Sequence, residues 1–177
     1  MKKILIVVDM QNDFIDGVLG SEEAKTIVTK VKEKILEYQN NGNSIIFTRD
    51  THREDYLETS EGKRLPIPHC IKGTHGWNIG IEVVPGNYEI IDKKTFGYSD
   101  WKDELVDYVY GNYPNVEIEL CGLDSDICVV TNALIIKTLY PEAEVTVDAS
   151  CCAGSTPERH KAAMEVMKSC QINVIGE

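Results

Sequence analysis

Polar and apolar positions along this chain fall into short blocks that alternate between two periods. Ile4-Leu5-Ile6-Val7-Val8 is an unbroken run of leucine and β-branched residues, the pattern of a strand covered on both faces in a parallel sheet. Residues 44–48, 88–92, 116–120, 144–147 and 172–175 read as further strands. Between them the spacing turns helical. Residues 22–39 place Ala24, Ile27, Val28, Val31, Ile35, Leu36 and Tyr38 on one stripe, with Gly42 beyond the end, as an amphipathic helix requires. Trp101, Leu105, Val106 and Val109 mark a helix over 99–110, and an apolar inward face marks another over 127–140. A last helix starts at Thr156-Pro157-Glu158, a cap followed by a first-turn proline. Strands alternating with helices predict an α/β chain: one domain over 1–177, three layers α/β/α, with a mainly parallel six-stranded sheet and right-handed crossovers.

In such sheets ligands bind beyond the carboxyl ends of the strands, so the residues that follow each strand carry the candidate chemistry. Asp9 follows the first strand, Asp50 and His52 the second, Lys93 the third, and the turn from Cys121 to Cys128 the fourth. Cys128 falls in the first turn of a helix, where unpaired N–H groups lower a thiol pKa and favour the thiolate. The pattern alone also admits a buried cysteine packing as a small hydrophobe, a capping role for Asp9, and a solvated basic pair at Lys93-Lys94. The stretch 53–76 is long for a connection, and Tyr56, Leu57, Leu65, Ile67 and Ile71 anchor it as an ordered lid within about 50–78. Asp50, His52 and His69, with a glutamate or water, form a nitrogen and oxygen donor set suited to zinc, iron or manganese; the competing reading is ordinary surface histidines.

Composition narrows the partners. The net charge of −11 argues against nucleic acid, which needs lysine and arginine brought to phosphates. The apolar run at 4–8 stops at Asp9, too short for a signal or membrane segment, so the chain is expected in the cytoplasm, with its six cysteines as free thiols. Neither a Gly-x-Gly-x-x-Gly turn nor a Gly-Lys-Ser/Thr loop follows a strand, which removes the usual dinucleotide and nucleotide triphosphate sites.

Three motifs follow the first, third and fourth strands in order: Asp9-Met10-Gln11-Asn12-Asp13-Phe14, Lys93 with Phe96, and Gly122-Leu123-Asp124-Ser125-Asp126-Ile127-Cys128-Val129. Together they resemble the isochorismatase-like cysteine hydrolases. Asp50-x-His52, Pro68-His69-Cys70 and Gly73-Thr74-x-Gly76 are similar to the metal-site and lid signature of the nicotinamidase branch. The resemblance implies Cys128 as nucleophile, Asp9 as base and Lys93 as the cation that holds Asp9 ionised. It implies an oxyanion hole from the backbone N–H groups of Asp124 and Cys128, with a cis peptide between Leu123 and Asp124. It implies a divalent metal, zinc first, held by Asp50, His52, His69 and a lid carboxylate, for which Glu61 is the choice and Glu58 the reserve. Phe14 matches an aromatic that packs on the substrate ring. The partner tryptophan of the family pattern is replaced by Pro66, leaving Trp77 as the nearest candidate, and Leu123 completes the expected substrate contacts. Cys151 and Cys152 are expected on the pocket floor, and Cys70, His75 and His160 in structural roles. The implied reaction is hydrolysis of a small amide through a Cys thioester, in a homo-oligomer.

Overall fold

The computed structural model describes residues 2–82, 86 and 88–177. Six strands, β1 (Lys2–Val8), β2 (Ser44–Asp50), β3 (Tyr88–Lys93), β4 (Val116–Gly122), β5 (Glu144–Cys152) and β6 (Asn173–Ile175), form one sheet in the order β3-β2-β1-β4-β5-β6. Every pairing is parallel, as the alternating pattern predicted. Residues Ile4 to Val8 are wholly buried, which is why that run contains no polar residue. Beyond β1 the chain passes to β2 and β3 on one side and returns to β4 on the other. The crevice where the winding reverses therefore opens between the ends of β1 and β4, the place such folds use for ligands.

Helix α1 (Asn12–Ile15) is a single turn where a loop was expected, and α2 (Glu22–Asn40) follows. The Ser21 hydroxyl caps α2 by accepting from the Ala24 amide at 3.0 Å, and Ala24, Ile27, Val31, Ile35 and Tyr38 face the sheet. The helix expected over 99–110 is broken at Leu105 into α3 (Trp101–Glu104) and α4 (Val106–Val109). Buried Trp101 donates its indole N–H to Asn132 Oδ1 at 2.7 Å, so a specific tertiary bond, not helix continuity, sets the local path. Helix α5 (Val130–Leu139) is preceded by a π-helical turn over Ser125–Val129. Helix α6 (Pro157–Ser169) carries the predicted Thr156 cap. No helix among the described residues is long and apolar enough to cross a membrane.

Strand β5 runs five residues past the expected end at Val147. Asp148 breaks the apolar pattern, yet its carboxylate meets Lys34 of α2 at 2.9 Å, so the polar residue is satisfied without leaving the sheet. Gly122, at the end of β4, has φ +122°, and a Cβ there would sit 2.1 Å from the Val8 carbonyl oxygen. Only glycine lets β4 close on β1 at the mouth of the crevice.

Candidate active site

Three side chains from three strand ends meet in the crevice. Lys93 Nζ lies 2.6 Å from Asp9 Oδ2, 3.4 Å from Cys128 Sγ and 3.4 Å from Asp50 Oδ1, and donates to the Thr95 carbonyl at 3.2 Å. Lys93 starts two strands from Asp9, and its four-carbon stem spans the end of β2 to reach it. Asp9 is held from its other side by Thr48, whose hydroxyl donates to Oδ1 at 2.6 Å and accepts from the Asp9 amide at 3.2 Å. Asp9 itself has φ +47°, an uncommon conformation for a non-glycine residue that recurs at functional positions. The other oxygen of Asp9, Oδ2, is the one that meets Lys93, so both carboxylate oxygens are engaged.

Burial governs the electrostatics. It pushes the Asp9 carboxyl above its ordinary range, against the pull of Lys93. Burial opposes the charge on Lys93, but Asp9, Cys128 and Asp50 outweigh it and keep the ammonium protonated. The Cys128 thiol is pushed well above its usual value by burial, with Lys93 acting the other way and contact with Asp9 adding to the rise. The expected thiolate is thus overturned: Cys128 sits in a buried π-helical turn, where desolvation outweighs the helix N-terminus, and it rests as a neutral thiol beside a carboxylate of raised proton affinity. The Leu123–Asp124 peptide is cis. The Ile127 and Val129 amides donate to the Asp124 carbonyl at 3.1 and 3.0 Å, and the Ser125 amide to Ala153 at 2.8 Å. Burial, then Asp126 and Asp9, raise the Asp124 carboxyl to about 7.

Beside the trio, donor atoms of Asp50, His52, Glu61 and His69 all lie within 4.8 Å of one another. His52 Nε2 is 2.9 Å from Asp50 Oδ2 and 3.7 Å from Glu61 Oε1; His69 Nε2 is 3.6 and 3.7 Å from the same two atoms. The Asp50 carboxyl is held well below its usual range: burial works against the charge, and the neighbouring His52, His69 and Lys93 overcome it. His52 Nε2 is buried without a hydrogen-bond partner, a nitrogen lone pair that a cation would satisfy. Two imidazoles and two carboxylates fit a borderline divalent ion. Of the two lid glutamates considered, Glu61 joins this group and Glu58 does not.

The lid is fastened by the residues just after Asp9. The Gln11 side chain accepts from the Asp50 amide at 2.7 Å and donates to the carbonyls of Asp50 and Trp77, both at 2.9 Å. Asp13 Oδ2 accepts from the Cys70 amide at 2.7 Å. Tyr56 packs edge-on against both imidazoles, with ring centroids 4.7 and 5.0 Å from His52 and His69. The sequence reading gave no fastening role to Gln11, Asp13 or Thr48 and took Tyr56 only as a hydrophobic anchor of the lid; the adjacency of the first two to Asp9 was the available signal.

Cys128 of the trio and Asp50, Glu61 and His69 of the cluster line one cavity of about 700 Å³, together with Phe14, Phe96, Asp124 and Ile127. Phe14 lies as expected, tilted against His69 at 5.6 Å. Trp77 does not line the cavity: its ring stacks on Arg49 at 3.7 Å and its N–H donates to Thr51 at 2.9 Å, which holds it on the outer side of the lid. Phe96 supplies the second aromatic instead. Leu123 is wholly buried in the core and outside the lining, because its role in the turn is played by its backbone. Cys151 and Cys152 are also off the cavity floor; Cys152 borders a smaller hollow of about 280 Å³ between α2 and α6. Cys70 is buried, and His160 Nδ1 pairs with Ser125 Oγ at 2.9 Å, both structural placements as expected. All six cysteines are free.

Comparison with known proteins agrees with this geometry. The chain is 24% identical to a nicotinamidase of Schizosaccharomyces pombe, over 98% of this chain and 92% of that one. It is 25% identical to a nicotinamidase of Saccharomyces cerevisiae, over 99% and 100%. Its fold superposes on a pyrazinamidase of Pyrococcus horikoshii crystallised in complex with zinc, with TM-score 0.81, 28% identity and full coverage of both chains. Residues 3–176 match the Isochorismatase domain, and with the match spanning nearly every residue, the chain belongs to the isochorismatase family.

Proposed function

We propose that this hydrolase of amide C–N bonds cleaves nicotinamide, or a close single-ring amide, to the acid and ammonia through a thioester on Cys128. The observation that carries the reading is the contact of Lys93 Nζ with both Asp9 and Cys128, at 2.6 and 3.4 Å. A neutral thiol beside a buried carboxylate of raised proton affinity is a nucleophile with its base in place. As Sγ attacks the amide carbonyl, its proton passes to Asp9. The C–N bond then breaks and Asp9 returns that proton to the departing nitrogen, which leaves as ammonia. Water then attacks the thioester as its proton passes to Asp9; the C–S bond breaks, Asp9 returns that proton to Sγ, and the acid departs. Lys93 keeps its charge throughout and stabilises negative charge on either partner.

Asp124 and Cys128 are the proposed backbone donors to the carbonyl oxygen, as the family resemblance implies; the nearby amides of Ser125, Ile127 and Val129 are engaged elsewhere. Each such donor contributes on the order of a hundredfold in rate. Asp50, His52, Glu61 and His69 would hold a divalent ion, for which zinc suits the donor set. When bound, the ion supplies a Lewis-acidic anchor that orients the substrate. Phe14 and Phe96 offer apolar faces to the ring.

The test is ammonia release from nicotinamide and pyrazinamide. Cys128→Ala is expected to abolish turnover, a loss of about 10³-fold or more, while circular dichroism stays that of the parent. Ammonia release by that variant near the parent rate would refute the assignment.

A further inference from the structure

The cavity is larger, and differently charged, than a neutral ring amide needs. About 700 Å³ is the size that encloses drug-sized ligands, whereas a single-ring amide fills only the part beside Cys128, Phe14 and the histidines. The remaining wall carries three cations from three separate elements: Arg64 of the lid, Lys94 just past β3, and Arg159 in the first turn of α6. In a chain of net charge −11, three cations here offset the three carboxylates of the same lining, Asp50, Glu61 and Asp124.

None of the three forms an ion pair among the described residues. Arg159 Nη1 donates to the Ser155 hydroxyl at 3.1 Å, a neutral partner. Lys94 is exposed, while its neighbours are tied inward by the bond from Lys93 to the Thr95 carbonyl. The acidic groups that share the cavity are otherwise engaged: Asp50 and Glu61 stand with the two histidines, and Asp124 is raised to about 7. The N-terminus of α6, a helix of 13 residues, adds its partial positive charge on the same side as Arg159.

We propose that the preferred substrate is an amide bearing a second, anionic group, a carboxylate in the first instance, and that Arg64, Lys94 and Arg159 receive it at the cavity mouth while the amide lies at Cys128. The placement of the amide rests on the amidase reading; the anion subsite does not. Guanidinium pairs with carboxylate through two parallel hydrogen bonds, and cations at a cleft mouth also speed the capture of an anion, an effect that salt suppresses. The three are specificity-determining residues for the reaction at Cys128.

The test uses matched amides that differ only in the carboxylate: glutaramate against butyramide, and a carboxylate-substituted nicotinamide against nicotinamide. Ammonia release is expected to give a kcat/KM ratio of roughly tenfold or more in favour of the acid, shrinking as salt rises from 20 to 500 mM, values chosen on the order of the screening range. In the triple variant Arg64→Gln, Lys94→Gln, Arg159→Gln that ratio is expected to fall to near one. Lys102→Gln, on the exposed face of α3, is expected to leave it. A phosphate-bearing amide of the same size, run alongside, distinguishes carboxylate recognition from general anion recognition; a larger advantage for phosphate would overturn the carboxylate assignment.

Calorimetry on Cys128→Ala keeps the inference separate from the chemistry. Tighter binding of the acid member, lost in the triple variant, supports the subsite even if no amide is hydrolysed, an outcome that would sink the amidase reading alone. Equal binding of acid and neutral members, or a preference that survives the triple variant, overturns the subsite while leaving the amidase reading standing.

Discussion

The trio at the strand ends and the histidine cluster under the lid share one cavity but are built in opposite ways. Asp9 and Lys93 are nearly or wholly buried, spring from strands whose register sets their spacing, and neutralise one another. The cluster draws Asp50 from a strand end but His52, Glu61 and His69 from a long connection, and it gathers four ligand atoms within 4.8 Å of one another. The first site is complete as folded; the second is shaped for something further. Strand ends place groups that must keep a fixed distance through a reaction, while a fastened loop can supply ligands that an ion then draws together.

Breaking the buried pair should have the largest effect. Lys93→Ala leaves the Asp9 carboxylate buried without its cation, and loss of one partner of a buried pair costs about 3–5 kcal/mol. Urea denaturation is expected to show that loss together with a fall in kcat of about 10²-fold or more. Asp9→Asn should match it in kcat but cost less stability, since the buried Lys93 ammonium keeps a second carboxylate, Asp50, at 3.4 Å. Rates near the parent in both variants would dismantle the proposed proton relay.

Removing the second site should separate the two regions. His52→Ala or His69→Ala is expected to lower the metal bound per chain and the melting temperature measured with added zinc, while Asp9→Asn keeps the metal content of the parent. If metal content does not change in either histidine variant, the cluster is not the ion's site. A smaller effect is expected for Asp13→Ala, which removes the bond to the Cys70 amide at a cost of about 1–2 kcal/mol. Its signature is weaker metal retention under chelator with Cys128 still alkylated at the parent rate; unchanged retention would remove Asp13 as the lid's fastening.

The smallest effect is a slope with pH. Asp124 has a folded pKa raised to about 7, against about 3.9 in an unfolded chain. Between those values the folded state holds a proton that the unfolded state has released. The stabilisation is therefore full below about pH 4 and is lost as pH rises towards 7. Asp124→Asn should flatten that part of the stability profile, and an unaltered slope would show that the carboxyl titrates normally.

How far the sequence could be read differs between the same two regions. Asp9, Lys93 and the turn that carries Cys128 each follow a segment with a strand pattern, and a parallel sheet brings such positions to one edge whatever the connections do. The donor set was also visible in Asp50-x-His52 and His69, and the choice of Glu61 over Glu58 agrees with the folded cluster. Trp77 was misplaced because no spacing rule says which side of a 25-residue lid a side chain takes; stacking on Arg49 decided it. The ionisation of Cys128 was misjudged for a related reason, since helix position is local whereas burial depends on everything packed around the thiol.

From the sequence alone came the layer order, the parallel sheet and the identity of the groups at its carboxyl edge, because periodicity and strand ends are properties of consecutive residues. Tertiary structure alone decided the 2.6 Å approach of Lys93 to Asp9, the burial of the Cys128 thiol, the extension of β5 past Asp148 and the presence of Arg64, Lys94 and Arg159 on one cavity lining. Those depend on residues dozens of positions apart, and only the folded chain determines how much water remains between them.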